Sequence, residues 1–437
     1  MANHIKAQQD ILKKLQIDAL HPMQEEAIAT IESSRNTIIL SPTGTGKTLA
    51  FLLPVINTLN PENPEIQALI VVPTRELAIQ IEQVARNMGT GFKVNAVYGG
   101  RPMSKDKIEI KHKPAILIGT PGRILDHMDS ERFSTATIKT LILDEFDKSL
   151  EIGFEEEMSA ILSELPNLNK RILTSATQGV KIPKFVRLDD PKIINYLDKK
   201  KSSRLEIKTV LSPSKDKLDS LLSLILHLGN KPGIIFCNLK DSIAVVSSFL
   251  EKSNISHGCF SGGMEQKDRE RALIKFRNGS SQILLATDLA ARGIDIPELK
   301  FIIHYELPLH AEEFTHRNGR TARVNEKGTA YILKWKNQKL PDFITDVTEA
   351  NISTPTKREP QFWQTLFISG GRKDKISKGD IAGLFFKQGN ISKEQLGVIE
   401  LKQDCAFVAV PITLAQELAN TLNNSRLKKK KVRISVL

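Results

Sequence analysis

Three short segments carry side chains whose types and spacing could do chemistry. Ser41 to Thr48 reads SPTGTGKT, directly after an apolar run and directly before the helical pattern LAFLLPVI. Gly44 and Gly46 put no Cβ in the way, so backbone N–H groups can converge on phosphate oxygens, with the positive end of the following helix behind them. Lys47 can reach β- and γ-phosphates, and Thr48 can offer its hydroxyl to Mg²⁺. The usual pattern GxxxxGK[ST] has Gly where Ser41 stands, but the strand–loop–helix context matches. About 97 residues on, LILDEFD (Leu141 to Asp147) ends an apolar run in carboxylates. Asp144 would sit at the carboxyl edge of a parallel sheet, where it could hold the hydration shell of Mg²⁺ while Glu145 polarises an attacking water. The third segment is HRNGRTAR, His316 to Arg323. Continued as a helix it places His316, Arg320 and Arg323 on one face, a cationic set suited to stabilising γ-phosphate charge in a transition state.

Such groups need a scaffold. From about residue 36 to 190, short apolar runs alternate with longer helical stretches. The runs are TIIL (Thr37–Leu40), ALIVV (Ala68–Val72), AILIG (Ala115–Gly119), TLILD (Thr140–Asp144) and RILT (Arg171–Thr174). Fully apolar runs this short read as strands buried on both faces, and the intervening helices make βαβ units. The rhythm returns in GIIF (Gly233–Phe236), QILLAT (Gln282–Thr287), FIIHYEL (Phe301–Leu307) and TAYILKW (Thr329–Trp335). The polar, basic segment Leu197–Lys217 reads as a hinge or linker, and a second linker runs from about Lys336 to Gln361. After it comes a β-α-β-β-α-β order: TLFIS, a helix around Lys378–Lys387, VIEL, AFVAV, a helix from Thr413 to Leu422, and VRISVL. That is the split-βαβ arrangement of small RNA-recognition folds. The expected fold class is α/β, with two parallel-sheet lobes and a small α+β domain. The expected domains are residues 1–200, 208–350 and 363–437.

Composition narrows the partners. The 437 residues hold 62 Lys+Arg against 50 Asp+Glu, a net charge of +12, with a pI near 9.4, which points to a polyanion, most often nucleic acid. From Thr365 to Leu437 there are 13 basic and 6 acidic residues, so +7 of the +12 lies in the last 73 positions. No apolar run reaches the ~18–20 residues of a spanning helix, and the start MANHIKAQQDILKKLQ has no apolar h-region, so neither a membrane protein nor a secreted one is expected. Cys237, Cys259 and Cys405 are far apart with no CxxC pair, so neither a disulfide scaffold nor a four-ligand zinc site is expected, and the usage fits a reducing cytoplasm.

The motifs in order resemble those of the DEAD-box RNA helicases. They are SPTGTGKT, PTRELAIQ (Pro73–Gln80), Gly99–Gly100, TPGRI (Thr120–Ile124), DEFD (Asp144–Asp147), SAT (Ser175–Thr177), ATDLAARGIDIP (Ala286–Pro297) and HRNGRTAR, between about Met23 and Arg323. The resemblance implies two RecA-like lobes with ATP and RNA in the cleft between them. It implies nucleotide contacts along Ser41, Pro42, Thr43, Gly44, Thr45, Gly46, Lys47 and Thr48. Asp144 joins Thr48 at the metal, and Asp295 touches the ribose from the second lobe. Ser175 and Thr177 would link hydrolysis to lobe closure. RNA-backbone contacts fall to Pro73, Thr74 and Arg75, to Gly99 and Gly100, to Thr120, Pro121, Gly122 and Arg123, and to Arg269 and Thr287.

The chain departs from the family pattern in places. Phe146 stands in DEFD where the family has Ala; both flanking carboxylates and Asp147 remain, so chemistry should survive while coupling to Ser175 and Thr177 could change. Gln24, in LHPMQEEAI, resembles the family's adenine-reading glutamine, but no aromatic stands in Met1–Gln16 to stack on the base. The tail, TLFISGGRKDKISKGDIAGLF (Thr365–Phe385) with VAVP after it, is similar to the RRM-like C-terminal domain of DbpA-type helicases, which in that group recognises a hairpin of large-subunit ribosomal RNA. Phe367 and Phe407 are either stacking aromatics or core. Sparse aromatics favour binding through Arg372, Lys373, Lys375 and the Lys428–Lys431 run.

The expected function is therefore an ATP-dependent RNA helicase that locally separates RNA duplexes with ATP and Mg²⁺, directed to 23S ribosomal RNA in large-subunit assembly. It should need no membrane and no protein partner. The alternatives are a general cold-shock-type RNA chaperone helicase and an RNA-binding clamp with little ATP turnover, uncoupled by Phe146.

Overall fold

In the computed structural model, the described residues are 8–42, 44–177, 181–197, 205–288, 299–321, 328–352 and 361–437. They fall into two compact units, one up to residue 197 and one from residue 205.

The first unit is built on seven parallel strands: β1 (Asn36–Leu40), β2 (Ala68–Val71), β3 (Val94–Val97), β4 (Ile116–Gly119), β5 (Thr140–Leu143), β6 (Lys170–Ser175) and β7 (Lys192–Asn195). Successive residues of a strand point to opposite faces, and both faces are buried. Ile39, Ile70, Ile118, Ile142 and Ile172 enter one core cluster. Their chain neighbours Ile38, Leu69, Leu117, Leu141 and Leu173 enter the other. That is why the runs are apolar throughout and do not alternate. The strand order is β3-β4-β2-β5-β6-β1-β7.

The second unit holds another seven-stranded parallel sheet, in the order β10-β11-β9-β12-β13-β8-β14. Its strands are β8 (Leu205–Ser212), β9 (Gly233–Phe236), β10 (Gly258–Phe260), β11 (Ile283–Ala286), β12 (Phe301–His304), β13 (Gly328–Trp335) and β14 (Val347–Glu349). Two expected linkers are corrected here. Leu205–Ser212, assigned to a hinge, pairs along all eight residues with β13. Val347–Glu349, assigned to the second linker, pairs with β8. Lys and Glu on these strands masked the signal. The strands lie at one side of the sheet, where Glu206 and Lys208 pair with each other at 2.9 Å instead of entering the core.

The same unit ends in a four-stranded antiparallel sheet, β16-β17-β15-β20, made of β15 (Trp363–Ile368), β16 (Ile399–Leu401), β17 (Ala406–Pro411) and β20 (Ile434–Val436). β15 and β17 are the central strands, as the sequence indicates. Helices Lys378–Lys387 and Ile412–Leu422 cover one face, where Leu366, Ile368, Ala406, Val408 and Val410 form the core. The KKKK run lies in a hairpin of β18 (Arg426–Leu427) and β19 (Lys430–Lys431).

Candidate functional site

In an open parallel sheet, ligands gather beyond the carboxyl ends of the strands. In the first unit the strand order splits that edge in two. The loops after adjacent β5, β6 and β1 carry Asp144–Glu145, Ser175–Thr177 and the Ser41–Thr48 loop. The loops after adjacent β3, β4 and β2 carry Gly99–Gly100, Thr120–Arg123 and Pro73–Arg75. Groups far apart in sequence thus form a phosphate-type half and a second half on one edge.

In the first half, Gly44 and Gly46 both have φ of +80°, the left-handed region that glycine enters without a Cβ penalty. Lys47 begins the Lys47–Asn57 helix and is 8% exposed; its ammonium donates to the carbonyls of Ser41 and, at 3.0 Å, Pro42. Ser41, where the pattern has Gly, is fully buried, and its hydroxyl bonds that of Thr45 at 2.6 Å, closing the loop. Gln24 lies against Gly46, donating from Nε2 to its carbonyl at 3.1 Å and accepting from the His21 N–H at 2.9 Å. A Cβ at Gly46 would stand 2.3 Å from that nitrogen and displace the Gln24 amide, while the left-handed φ is what calls for glycine here.

Asp144 is 3% exposed and accepts from the Thr174 hydroxyl and the Glu145 N–H. Burial pushes its carboxyl above the usual range, opposed by the Thr174 bond and the Lys47 charge. A carboxylate held in so little water favours a cation beside it. Glu145 is half-buried with φ of 48°. For a non-glycine residue that conformation costs about 1–3 kcal/mol. Its N–H is held by both Asp144 and Thr174. Asp147 accepts from Thr177 Oγ1 at 2.9 Å and the Ala176 N–H at 3.3 Å, while Thr177 N–H donates to Ser175 Oγ at 3.1 Å. Phe146 points away from all of this, 2% exposed in the second core cluster. The hydrogen bonds from Asp147 to Thr177 are therefore present with Phe in place. Two left-handed glycines, a buried lysine at a helix start, the Thr48 hydroxyl and a buried Asp are a set that fits Mg²⁺ and a nucleoside triphosphate.

In the second half, Thr74 caps the Arg75–Met88 helix, accepting from Leu77 N–H. The Arg75 guanidinium lies under Gly99–Gly100, where a Cβ on Gly100 would come within 2.2 Å of it. Thr120–Arg123 opens the Pro121–Asp129 helix. Arg123 donates to the Arg101 carbonyl at 2.8 Å and sits 3.5 Å from Asp106, which also pairs with Arg101 at 2.8 Å and meets His127 at 3.2 Å. Asp106 and His127 are fully buried. This tie between two loops was not foreseen; Asp106 lies in no motif, and only the pairing in space reveals it. Thr174 was likewise missed, though it immediately precedes the Ser175 motif.

The second unit corrects one expectation. The Ala311–Asn318 helix stops at Asn318, with Gly319 as its cap, so Arg320 does not share a helical face with His316. Arg320 is 6% exposed. The residue that organises this region is Arg317, 1% exposed, which donates to Asp288 at 2.7 and 2.5 Å, the Glu306 carbonyl at 2.7 Å and Asn238 at 2.7 Å. It thereby ties the ends of β11, β12 and β9. Arg269 is 7% exposed with its guanidinium over the Phe260 ring, and Thr287 follows β11. Thr43, Asp295 and Arg323 lie outside the described residues.

In the last domain, Gly371 is pressed against the Gln403–Asp404 backbone, where a Cβ would meet the Gln403 carbonyl at 2.4 Å. The Arg372 and Lys373 N–H groups donate to the carbonyls of Lys402 and Gln403. Lys430 pairs with Asp374 at 2.8 Å, and Lys428 with Asp380 at 2.9 Å. The Arg372–Lys375 turn and the lysine hairpin therefore meet at one end of the domain. Phe367 and Phe407 are not in the core cluster; they lie on the other sheet face, ring centroids 5.7 Å apart.

Among the described residues no helix is long and apolar enough to cross a membrane. The model of the DEAD/DEAH box helicase family matches residues 21–185, that of the helicase conserved C-terminal domain residues 216–325, and that of the DbpA RNA binding domain residues 365–436. The chain is 30% identical to ATP-dependent RNA helicase DbpA of Bacillus subtilis, over 94% of each chain. It is 30% identical to the protein of that name from Escherichia coli, over 99% of this chain and 97% of the other. A structure of S. cerevisiae Dbp5 bound to RNA and ADP BeF3 is similar with a TM-score of 0.66 and 26% identity, covering 76% of this chain and 89% of that one. Mss116 bound to ssRNA and UDP-BeF gives 0.68 and 26%, covering 77% and 74%.

Proposed function

The chain belongs to the DEAD-box family of ATP-dependent RNA helicases, of the DbpA type, and from that premise we propose that it works on 23S ribosomal RNA in large-subunit assembly. It is an RNA-stimulated ATPase, and its fold is that of two RecA-like lobes followed by a small RRM-like domain. In our reading the β5-β6-β1 half of the edge holds ATP and Mg²⁺, and the β3-β4-β2 half holds the RNA backbone.

When bound, Mg²⁺·ATP supplies the γ-phosphate and a cation that neutralises its charge. Lys47 and the loop N–H groups would orient the phosphates, and Thr48 and Asp144 would hold the metal. Glu145 accepts the proton of the attacking water. Arg320 and Arg323 would stabilise the developing phosphate charge, and Asp295 would contact the ribose. Gln24 reads adenine. Thr174 and Lys47, set against Asp144, support the metal role. The bonds joining Asp147, Thr177 and Ser175 support turnover coupled to RNA over a clamp. Three free cysteines support a cytoplasmic setting.

The observation that carries the RNA address is the basic end of the C-terminal domain, where Arg372, Lys373 and Lys375 meet the lysine hairpin. ATPase stimulation by 23S ribosomal RNA should exceed that by an equal mass of unrelated RNA at one fixed salt concentration. Equal stimulation by both would remove the 23S assignment and leave a general RNA chaperone helicase.

A further inference from the structure

Behind the loops of the β3-β4-β2 half lies a buried cluster of charge. Its centre is Asp106, 0% exposed, on the Met103–Ile110 helix. One carboxylate oxygen pairs with Arg101 at 2.8 Å. The other meets Arg123 at 3.5 Å and accepts from His127 Nε2 at 3.2 Å. Arg101 directly follows Gly99–Gly100, while Arg123 and His127 stand on the Pro121–Asp129 helix that Thr120 caps. One side chain thus joins the loop after β3, its own helix and the helix after β4.

Each partner of Asp106 is held in turn. An Arg132 nitrogen lies 2.8 Å from His127 Nδ1. Arginine only donates, so Nδ1 is the acceptor and Nε2 carries the proton that faces Asp106. Arg101 pairs with Glu109 at 2.9 Å, its guanidinium 5.4 Å from the centre of the Tyr98 ring. Arg123 donates to the Arg101 carbonyl at 2.8 Å and to the Met103 sulfur at 3.2 Å. The side chains of Arg101 and Arg123 are 15% and 10% exposed. A buried ion pair is weak evidence for stability, because apolar residues of the same volume often fold as well. What charged, hydrogen-bonded contacts supply is direction.

We propose that Asp106 is a positioning residue for RNA, fixing Arg123 and the Gly99–Gly100 loop at one spacing before the strand arrives. Asp106 is fully buried and touches no RNA itself. Two long side chains are ordered during folding, so binding does not bear the cost of ordering them. The proposal rests on the reading that the β3-β4-β2 half holds the RNA backbone. Charge and position predict opposite signs here. As a charge alone, an anion beside a surface for a polyanion repels it, and neutralising Asp106 would tighten RNA binding. As a positioning group, its loss frees Arg101 and Arg123 and weakens RNA binding.

Asp106→Asn in the full-length protein keeps the size of the side chain and removes its charge. The poly(U) concentration that half-saturates ATPase stimulation should rise about tenfold at one fixed salt concentration, as two arginines must now be ordered on binding. Both kcat at saturating poly(U) and KM for ATP should stay within about threefold, the scale of a neutral substitution, since the nucleotide loops follow β5, β6 and β1. Half-saturation at an unchanged or lower poly(U) concentration overturns the proposal. So does a fall in kcat and ATP affinity together, which is what a merely structural residue would give. Should Asp106→Asn not fold, His127→Gln decides, because it loosens Asp106 with no change of charge. Half-saturation should then rise about threefold, and an unchanged value overturns the proposal. Arg75→Ala and Arg123→Ala test the underlying reading separately. If neither moves half-saturation, that half of the edge does not hold RNA. If both raise it and Asp106→Asn does not, the reading stands and the positioning role falls.

Discussion

Phe146→Ala returns the DEFD segment to the family's DEAD spelling, and by sequence alone it ought to be harmless. The structure predicts a large loss of stability confined to the first lobe. Phe146 is 2% exposed in a cluster with Ile38, Leu143, Leu173 and Val186. Truncation to Ala removes roughly 100 Å² of buried apolar surface, or about 2.5 kcal/mol at 25 cal/mol per Å². A residual cavity of roughly 50 Å³ adds about 1.2 kcal/mol at 24 cal/mol per Å³. Phe146 opens the Phe146–Ile152 helix, and the better helix propensity of Ala returns about 0.5 kcal/mol. The net is about 3 kcal/mol, at the lower end of measured Phe→Ala losses. Native-state hydrogen exchange read by mass spectrometry localises it. Amides of β5 and β6 that open with the lobe should exchange about 100-fold faster or more, since each 1.4 kcal/mol is tenfold. Peptides from β9 and β12 in the second unit serve as the internal control and should not change. ATPase should persist while the lobe is folded, because the bonds of Asp144 and Asp147 do not use the Phe146 ring. Exchange in β5 and β6 unchanged within threefold would refute the claim that this side chain is core.

Glu145→Gln should leave nucleotide and RNA binding intact and slow steady-state hydrolysis by roughly 10²–10⁴-fold, because an amide cannot accept the water's proton; near-normal turnover would remove Glu145 from that role. His304, fully buried, is hydrogen-bonded to Asn318 Oδ1 and has its pKa lowered to about 3 by burial and the nearby Arg317 charge. The unfolded chain binds that proton near pH 6.5, so stability of the second unit is retained above that value and lost as pH falls towards the folded pKa. Between pH 7.5 and 5.5 the loss from this group is about 1.4 kcal/mol, and His304→Gln should flatten the slope of denaturation midpoint against pH. Replacing Arg372, Lys373 and Lys375 by Ala together should weaken 23S RNA binding and lower the salt slope of log K by roughly 0.7–0.9 for each phosphate these residues neutralise. An unchanged slope would place the RNA elsewhere on the domain.

Much of this protein is written locally. Short apolar runs between helical stretches announce strands buried on both faces, since a run such as TIIL can only be satisfied by burial on both sides of the sheet. The phosphate loop is legible because glycine backbone freedom and helix-start geometry are properties of neighbouring residues. The order of the last domain is legible for the same reason, down to its central strands. What escaped is what depends on pairs distant in sequence. The charged strand Leu205–Ser212 looked like linker until its partner β13, more than 100 residues later, supplied its hydrogen bonds. The helix face drawn through His316 and Arg320 is interrupted because the helix ends at Asn318, while Arg317 is drawn inward by groups on three other loops. Asp106 and Thr174 have no motif to mark them; they matter through Arg101, Arg123 and Asp144. The two Phe of the last sheet could be core or platform by sequence, and the pairing of β15 with β17 put them together on the face opposite the core cluster. Local chemistry sets which elements form and which groups they carry. Which groups meet is decided by strand order and packing, because burial and hydrogen bonding are satisfied between surfaces that only the folded chain brings together.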